Sequence, residues 1–474
     1  MDSNRTSRVE NIAARIAEKA AEAGGRAYYV GGFVRDRLLG IDNKDVDVEI
    51  HGITPEHLLQ ILGDIGDPIS FGQSFGIYSL RGEDIDIAMP RRERPVVTDA
   101  ELQGKARGHR DFEVEVDPFI GTYEAARRRD FTINALMQDV LTGEITDHFG
   151  GIEDLKGVIR HIDDRTFGED PLRVLRAAQF AARFGFEIAP ETVRLCRTID
   201  LSGLSRERVE EEMKKALLKA PKPSVFFESL RVMDQLDVWF PELKAMIGLE
   251  QDPVFHPEGD VWIHTMEVID RAAVFRDRVS DPYAFMLLAL THDMGKIVTT
   301  EFIKGRIHAY EHEIKGIPLV EAFLGRLTGE KAAAEYVLNM VPLHMRPNVA
   351  AYTKPSLKST NRMYDAAAAP EDLIYFAQAD RPVFSGTDRF SGDSEFLRER
   401  LEAYRETMAK PYVMGRDLIE AGLEPGEYFG ELLEYAHKLR LAGTDKESAL
   451  KQVLGYARKM GRKPRRNQDG GSRK

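Results

Sequence analysis

Apolar positions before residue 150 fall in short runs that are separated by glycine turns and charged helical stretches. Runs of this length and composition are typical of β-strands. Their alternation with helical stretches predicts a mixed sheet covered by helices. The predicted strands are Ala27–Val30, Val46–Ile50, Gly76–Leu80, Ile85–Ala88 and part of Ile133–Val140.

Beyond residue 150 the chain has a helical character almost throughout, so the protein as a whole is predicted to have an α+β fold. Pro221 and Pro223 interrupt one helical block. The Pro- and Gly-rich stretch Leu249–Asp260 and the region near Pro411 favour further boundaries. No internal repeat is evident. The predicted domains are residues 1–150, 151–248, 249–400 and 401–474.

Length and composition indicate a modular globular protein. A chain of 474 residues exceeds what one core accommodates, and its 43% apolar and 30% charged residues are typical of soluble domains. The longest apolar run, Ala284–Leu290, is too short to span a bilayer, and residues 1–25 lack the apolar core of a secretion signal. With Cys196 as its single cysteine, the chain is predicted to be cytoplasmic and to have no membrane partner.

The formal net charge of −12 argues against a protein that coats nucleic acid with a uniform positive field. An RNA partner would therefore have to be bound locally, through basic clusters. Such runs are also typical of solvated faces and loose tails, and this is the simpler interpretation of the C-terminal one. The clusters are Arg91, Arg92 and Arg94; Lys105, Arg107 and Arg110; Arg127, Arg128 and Arg129; and the tail from Arg458 to Lys474.

The stretch YYVGGFVRDRLLGIDNKDVDVEIHG combines a glycine turn with paired acids. Gly31 and Gly32 would let backbone N–H groups approach an anion closely at the start of a helix, although a Gly-Gly pair often makes only a turn. Asp45 and Asp47 follow on the next predicted strand. Because side chains alternate along a strand, both carboxylates are expected on one face.

A third carboxylate comes from Asp86 in EDIDIAMPRRE, on another predicted strand. Carboxylate oxygens are ligands that Mg²⁺ prefers. Acids around metal ions would activate a hydroxyl and stabilise the leaving group in an in-line phosphoryl transfer. Asp45, Asp47 and Asp86 are therefore the predicted catalytic residues, although a D-x-D pattern also arises by chance in acidic chains.

Two later segments carry side chains suited to a nucleotide. RRRDFTINALMQD contains Arg129, Asp130 and Asn134, which suit a triphosphate and a ribose hydroxyl. GEDPLRVLRAAQFAARFGFEI begins a helix near Asp170 and Arg173. An Asp followed by Pro is also an ordinary helix start, so this segment has a purely structural interpretation as well.

Taken together, GGFVRDRLLG, DVDVEI, RRDFTINAL and EDPLRVLRAAQFAARFGFEI resemble the bacterial-type tRNA nucleotidyltransferases, the CCA-adding enzymes of the polymerase beta superfamily. The match covers roughly residues 25–240, and VMGRDLIEAGLEPGEYFGELLEYAHKLRLAG resembles the family's C-terminal helical segment. The resemblance implies a mixed α/β nucleotidyltransferase head with Mg²⁺, an all-α neck, and a helical tail that binds tRNA. It also implies tRNA, CTP and ATP as partners, and Arg91–Glu115 is similar to the family's flexible loop.

The resemblance further implies roles for individual residues. Asp45 and Asp47 would bind the metal. Glu169, Asp170 and Arg173 match the family's E-D-x-x-R element, which reads the incoming base. The other implied nucleotide-binding residues are Gly31, Gly32 and Arg35 at the triphosphate, Arg129, Asp130 and Asn134 at the ribose, and Arg176 in the helix that follows the base-reading element.

Base selection by a carboxylate and an arginine has a physical rationale. Cytosine and adenine present an exocyclic amine beside a ring-nitrogen acceptor, whereas uracil and guanine present a carbonyl beside a ring N–H. Asp170 with Arg173 would complement only the first pattern. The predicted enzyme would therefore accept CTP and ATP without a nucleic-acid template.

The C-terminal half contains a second constellation, of histidines and acids in helical sequence. The order His264, His292 with Asp293 in THDMGK, and then Asp380 resembles the HD phosphohydrolases. His312 and His344 extend this order, as in HD domains that hold more than one metal. Imidazole and carboxylate together suit Ni²⁺, Mn²⁺, Fe²⁺ or Co²⁺. His256 and His308 are assigned to packing. The predicted ligands are His264, His292, Asp293, His312, His344 and Asp380.

Three functions share parts of this pattern. A CCA-adding enzyme with an HD phosphohydrolase activity on phosphorylated RNA ends accounts for all of it. A poly(A) polymerase of the same lineage would share every head motif. A signalling enzyme can also join a nucleotidyltransferase to an HD domain, but it has no need of the base-reading element.

Overall fold

The computed structural model describes residues 3–43, 45–70, 76–95, 112–381 and 391–462. The chain forms two compact units, Met1–Lys244 and Ala245–Lys474. Most of the predicted flexible loop at residues 91–115 and most of the basic tail at residues 458–474 lie outside the described residues. None of the described helices is both long enough and apolar enough to cross a membrane.

A seven-stranded mixed sheet forms the centre of the first unit, as the sequence predicts. Its strands are β1 Arg26–Val30, β2 Val46–His51, β3 Pro68–Ser70, β4 Ile77–Leu80, β5 Ile85–Ala88, β8 Met137–Asp139 and β9 Ile145–Thr146; outside this sheet, β6 Arg91–Pro95 pairs with β7 Phe112–Val116. The strand order in the sheet is β3-β4-β5-β2-β1-β8-β9. Strands β2 and β5 run parallel, and every other neighbouring pair in this sheet is antiparallel.

Strand β2 shows how the sheet separates core from site. Val46, Val48 and Ile50 are fully buried in a core that includes residues of helices Ser3–Glu22 and Pro55–Ile65. Because side chains alternate along a strand, the residues between them project from the opposite face. That face carries the acids predicted to be catalytic.

Helices make up most of the rest of the first unit. Leu172–Phe184 places an almost continuous row of apolar residues in the interior and ends at Gly185, whose φ of 70° is the left-handed conformation that glycine adopts without strain. The helices are Ser3–Glu22, Gly32–Leu38, Pro55–Ile65, Thr122–Arg127, Gly151–Asp154, Asp164–Gly168, Leu172–Phe184, Pro190–Cys196, Arg206–Lys219, Ser224–Val232 and Pro241–Ala245.

The second unit is almost entirely helical. Two short strand pairs interrupt the predicted helical part of the chain: β10 (Val158–Ile159) with β11 (Glu187–Ile188) in the first unit, and β12 (Thr300–Ile303) with β13 (Arg306–Ala309) in the second. The helices of the second unit are Val261–Ala273, Pro282–Thr291, Lys296–Thr299, His312–Lys315, Ile317–Leu327, Lys331–Met340, Met345–Thr353, Leu357–Ala366, Asp372–Ala379, Ser391–Ala409, Gly415–Glu420, Phe429–Leu441 and Lys446–Lys459.

Candidate active sites

The acids of the head meet on the solvent-facing side of β2 and β5. Asp47 and Asp86 are direct partners in the parallel pairing of these strands, so their side chains share one face. Asp45 lies just before β2 and is exposed, as is Asp86. The structure thus brings together the three carboxylates that the sequence singles out.

Electrostatics distinguish Asp47 from its two neighbours. Burial raises the pKa of Asp47 to about 6, and the negative charges of Asp86 and Asp45 act in the same direction, while Arg129 opposes them. The protein by itself therefore leaves negative charge at this point incompletely neutralised. Carboxylates arranged in this way fit a divalent cation with a preference for oxygen ligands.

Gly31 lies against this carboxylate. Its φ is 66°, and a Cβ built on it would lie 3.0 Å from Arg129 Nη1 and 3.6 Å from Asp47 Oδ2. The backbone therefore fills a narrow gap between a guanidinium and an acid, in a conformation that side chains disfavour. Gly32 is next to Arg35, since a Cβ there would lie 3.4 Å from Arg35 Nη2.

Glu49 is a buried acid at this site that sequence reasoning missed. Its Oε2 is 3.3 Å from Arg129 Nη2 and 3.4 Å from Arg128 Nη2, and its Oε1 is 2.9 Å from His51 Nε2. Burial alone would raise the pKa of Glu49, but His51, Arg129 and Arg128 lower it below its usual range. Glu49 thus holds Arg128 and Arg129, and Arg129 lies beside Asp47.

Arg35 is buried, with 4% of its surface exposed. It donates from Nε to Asp36 Oδ1 at 2.7 Å and from Nη1 to Asn134 Oδ1 at 2.6 Å. Its guanidinium also lies 5.0 Å and 4.8 Å from the ring centroids of Phe180 and Phe184. The guanidinium is therefore held by protein partners on several sides and supports the wall of the site.

The same network continues through the predicted ribose residues. Asn134 Nδ2 donates to Asp130 Oδ1 at 2.9 Å, and Arg176 Nε donates to Asp130 Oδ2 at 2.7 Å. Burial would raise the pKa of Asp130, but Arg176, Asn134 and Arg173 lower it. One continuous chain of hydrogen bonds thus joins four predicted residues: Arg35, Asn134, Asp130 and Arg176.

The two residues expected to read the base have separate partners. Asp170 Oδ2 accepts from Arg208 Nη2 at 2.8 Å, and Asp170 Oδ1 accepts from the backbone N–H of Leu172 at 3.1 Å. Arg173 donates to the carbonyl oxygens of Thr166 and Arg128, both at 2.6 Å. The side chains of Asp170 and Arg173 thus each contact other protein groups, and Glu169 begins the same segment at partial exposure.

In the second unit, the nitrogen and oxygen atoms that could bind a metal fall into two sets. The first set comes from His264, His292, Asp293 and Asp380. His264 Nε2 lies 3.2 Å from Asp380 Oδ1, 3.6 Å from Asp293 Oδ2 and 3.3 Å from His292 Nε2. His292 Nε2 lies 3.3 Å from Asp293 Oδ2 and 3.4 Å from Asp380 Oδ1. The two histidines and Asp293 are almost completely buried.

A second set of donors uses the other oxygen of Asp293. His312 Nε2 lies 3.1 Å and His344 Nε2 lies 3.8 Å from Asp293 Oδ1, and the two Nε2 atoms are 3.3 Å apart. All six predicted ligands therefore belong to one cluster, with Asp293 as the carboxylate common to both sets. We call these six residues the HD cluster.

The outer nitrogens of the four imidazoles hold the rings in place. Nδ1 of His292, His312 and His344 lies 2.7 to 2.9 Å from the carbonyl oxygen three residues earlier in the chain. Nδ1 of His264 lies 2.7 Å from Glu258 Oε1. An acceptor on Nδ1 selects the tautomer with an unprotonated Nε2, which is the form that binds a metal.

Two polar residues next to the HD cluster were not predicted from the sequence. Glu258 Oε1 also lies 2.9 Å from Nδ1 of His256, so His256 belongs to the surroundings of the cluster and is more than a packing residue. Lys296 Nζ lies 2.7 Å from Asp293 Oδ2 and donates to Gln251 Oε1 at 2.6 Å. Lys296 is the last residue of THDMGK, so the motif itself contained a signal for it.

The charge state of the HD cluster also fits a bound cation. Burial lowers the pKa of His292, but Asp293 and Asp380 outweigh it and bring the pKa to about 10. Burial, together with the charge of His292, lowers the pKa of His344 to about 4. Two imidazole nitrogens 3.3 Å apart can share either a proton or a metal ion, and nitrogen together with carboxylate donors suits a transition metal.

The donors of the HD cluster are closer together than the acids of the head. Among the described residues, every group of three or more histidine, cysteine or acidic side chains with donor atoms within 4.8 Å of one another lies in the second unit. These groups are His256 with Glu258 and His264, His264 with His292 and Asp293, and Asp293 with His312 and His344.

Two glycines allow the HD motif to form. A Cβ on Gly295 would lie 1.9 Å from the carbonyl oxygen of His312, and a Cβ on Gly316 would lie 2.5 Å from Gly295 Cα. The φ of Gly295 is −63°, so its need for glycine comes from this contact and not from its backbone conformation. The Gly295–Gly316 contact holds the segment of His312 against the segment of Asp293.

Gly295→Ala should therefore displace His312 and lower the midpoint of thermal unfolding. Overpacking typically costs about 1–3 kcal/mol, and here the obstacle is backbone. The variant should also bind less Ni²⁺ or Mn²⁺ in equilibrium dialysis. Gly325→Ala is the matched control, because a Cβ there meets nothing within 4 Å in the helix Ile317–Leu327 and should be neutral or slightly stabilising. Equal stability and equal metal binding in the two variants would contradict the assigned role of Gly295.

Comparison with known proteins places the acids of the head and the six residues of the HD cluster within recognised families. Residues 27–160 match the family described as the poly A polymerase head domain. Residues 185–247 match the probable RNA and SrmB-binding site of polymerase A, and residues 261–381 match the HD domain. A multifunctional CCA protein of Nitrosospira multiformis is 35% identical over 394 residues, which are 81% of this chain and 90% of the relative.

Solved structures show the same fold. A CCA-adding enzyme of Thermotoga maritima, complexed with tRNA, has a TM-score of 0.62 and 22% identity over 95% of this chain and 98% of its own. A CCA-adding enzyme of Bacillus stearothermophilus in complex with CTP has a TM-score of 0.59 and 21% identity, over 94% of this chain and 97% of its own.

Proposed function

Because the chain belongs to the multifunctional CCA protein family, we propose that it adds CCA, or part of it, to tRNA 3′ ends from CTP and ATP. The 3′-hydroxyl of tRNA attacks the α-phosphate, a new phosphodiester forms, and pyrophosphate leaves. The observation that carries this proposal is the pairing of Asp47 with Asp86 beside Gly31 and Arg129. Relatives named for CCA favour this reaction over poly(A) synthesis.

In the proposed site the acids and the glycine turn have distinct tasks. Asp45, Asp47 and Asp86 would hold Mg²⁺, which lowers the pKa of a bound hydroxyl and offsets charge on phosphate oxygens. The backbone at Gly31 and the Arg129 guanidinium, which is 17% exposed, would contact the triphosphate. Glu49 keeps Arg129 in place for that contact.

The buried network of Arg35, Asn134, Asp130 and Arg176 would position the sugar and the base. Each charged member already has a partner inside the protein, so the wall is built before the nucleotide binds. Such preorganisation avoids the entropic cost of arranging side chains around the ligand.

Base selection by Asp170 and Arg173 needs a rearrangement of the contacts that they make here. We assign Arg208 as a third member of this set, because it holds Asp170 at 2.8 Å from a helix 38 residues further along the chain. When CTP or ATP binds, an exocyclic amine would take the place of one of these protein donors on Asp170. The neighbouring Arg173 would supply the donor to the ring nitrogen.

The HD cluster supports a second activity, hydrolysis of phosphate esters at RNA ends. HD domains are a family of metal-dependent phosphohydrolases, and the six donors here fit Ni²⁺, Mn²⁺, Fe²⁺ or Co²⁺. Such a metal supplies hydroxide near neutral pH and polarises a phosphoryl oxygen. The substrates we propose in chemical terms are 2′,3′-cyclic phosphates and 2′-phosphates, which block the hydroxyl that the head extends.

Cellular location and domain boundaries stay predictions. The single cysteine, Cys196, is buried and its pKa is raised to about 12 by that burial, so it is an unreactive thiol that fits a reducing cytoplasm. A signalling enzyme remains the alternative from another class. It would transfer nucleotides to a protein or a nucleotide rather than to tRNA.

The function is tested with tRNA transcripts that end before CCA, after C and after CC. Each transcript is offered each of the four nucleoside triphosphates in turn, with Mg²⁺, and the products are resolved to one nucleotide. We expect C, C and A to be added in order, with UTP and GTP at least about tenfold poorer, since one base-reading contact is worth about 1–3 kcal/mol. Long A tails would indicate a poly(A) polymerase, and no extension at all would favour the signalling enzyme.

A further inference from the structure

A groove of about 780 Å³ lies in the second unit between the helices Met345–Thr353 and Leu357–Ala366. Its walls combine the cationic side chains of Arg346, Lys358 and Arg362 with apolar side chains of the first helix and of Met363. None of the residues predicted from the sequence lines it. The groove is therefore a feature without an assigned role.

The cations of the groove are not neutralised by protein partners. Arg346, Lys358 and Arg362 are exposed, and within the described part of the chain no hydrogen bond or ion pair holds any of them. Glu313 is an acid in the lining, 3.8 Å from His312 Nδ1. In a protein with a net charge of −12, the three cations form a locally positive wall.

The groove adjoins the second donor set of the HD cluster. Glu313 follows the ligand His312 directly in the chain, and Met345 follows the ligand His344. From the same helix as Arg346, Asn348 Nδ2 donates to Asp380 Oδ2 at 3.3 Å. One helix thus contributes both to the surroundings of the HD cluster and to the groove.

We infer that this groove binds the single-stranded 3′ end of an RNA whose terminal phosphate the HD cluster hydrolyses. Phosphates would lie along Arg346, Lys358 and Arg362, and bases would lie against the apolar wall that includes Val349. A free mononucleotide is too small to use the whole groove. This inference rests on the proposed phosphohydrolase function, and it names the surface that would hold the RNA substrate of that site.

The test compares the full-length protein with the triple variant R346Q/K358Q/R362Q. Two substrates are hydrolysed with Ni²⁺ or Mn²⁺: an RNA ending in a 2′,3′-cyclic phosphate, and the corresponding cyclic mononucleotide. We expect KM for the RNA to rise roughly tenfold or more. The slope of log(kcat/KM) against log salt should flatten by about 2, since each phosphate contact in a single strand contributes about 0.7. Hydrolysis of the mononucleotide and CCA addition should stay within about twofold.

A charge-matched control, K331Q/R398Q/K451Q, removes three exposed cations elsewhere in the unit and should leave RNA hydrolysis unchanged. Equal losses on both substrates, or unchanged RNA hydrolysis, would overturn the inference. A matching loss of CCA addition would assign the groove instead to tRNA binding for the head.

A separate readout distinguishes failure of the inference from failure of the hydrolase proposal. An RNA with 4-thiouridine at its 3′ end is photo-crosslinked to the metal-free protein, and the crosslinked peptides are mapped. Crosslinks between Met345 and Met363 that disappear in R346Q/K358Q/R362Q would support the groove even if the wild type hydrolyses nothing. Crosslinks only elsewhere would overturn it.

Discussion

An Asp293→Ala variant should lose its phosphohydrolase activity by about a thousandfold or more while CCA addition stays within a few fold of wild type. Asp293 serves both donor sets, with Oδ2 facing His264 and His292 and Oδ1 facing His312 and His344. Losing metal-based charge stabilisation of several kcal/mol corresponds to a change of this size. Both activities are measured on one preparation, with Ni²⁺, Mn²⁺ or Mg²⁺ supplied.

Metal content separates the two donor sets in the same experiment. His344→Ala should lose about half of the bound transition metal because it belongs to the second set alone, whereas Asp293→Ala should lose nearly all of it. Asp293→Asn keeps the side-chain volume beside Lys296 and controls for a packing defect. If the wild type hydrolyses nothing with any metal, or if Asp293→Ala loses CCA addition by unfolding, the HD cluster is structural.

Asp47→Asn should reduce nucleotide addition by about a thousandfold or more, because a metal-binding carboxylate next to the Gly31 turn is lost. The HD phosphohydrolase should keep its activity, since its ligands lie in the second unit. Asp64→Asn makes the same chemical change at an exposed helix residue that pairs with Lys19, and should leave addition unchanged. Near-normal addition by Asp47→Asn would refute the assignment of the catalytic acids.

The same variant should be no less stable than wild type in EDTA at pH 7.5. The folded-state pKa of Asp47, about 6, lies above the ordinary value of 3.8, so ionisation of this carboxylate opposes folding. That cost is fully present above pH 6 and is lost as the pH falls towards 4. After solvent screening, we expect Asp47→Asn to gain on the order of 1 kcal/mol at pH 7.5 and nothing at pH 4, by thermal unfolding. A loss of stability at pH 7.5 would show that the carboxylate supports the fold.

Several parts of this molecule could be predicted from sequence because they depend on local rules. Alternation along the predicted strand Val46–Ile50 set Asp47 apart from the apolar residues beside it, and the structure confirms the strand and the mixed sheet. The HD order predicted six ligands, and the structure gathers all six, because each comes from a helix or a helix end in the same helical unit. The predicted roles of these residues in catalysis await the experiments above.

The protein partners of the predicted site residues could not be read from the sequence. Asp170 and Arg173 are predicted to read the incoming base together, and only the structure shows that Asp170 also contacts Arg208 and that Arg173 donates to backbone carbonyls. Arg35 is predicted at the triphosphate, and only the structure shows that its guanidinium is also held by Asp36 and Asn134. Arg208 and Asn134 lie 38 and 99 residues away from the side chains that they contact, so a local pattern of residues does not predict these hydrogen bonds.

The sequence by itself determined the periodic features of this protein: strands and helices, the faces of β2, and the order of the histidines and acids. These follow from backbone geometry, which repeats over a few residues. Only the tertiary structure decided that Glu49 holds Arg128 and Arg129, and that Gly295 touches Gly316. Contacts of this kind depend on how distant segments pack, and hydrogen-bond partners within about 3 Å are selected by that packing rather than by any local pattern.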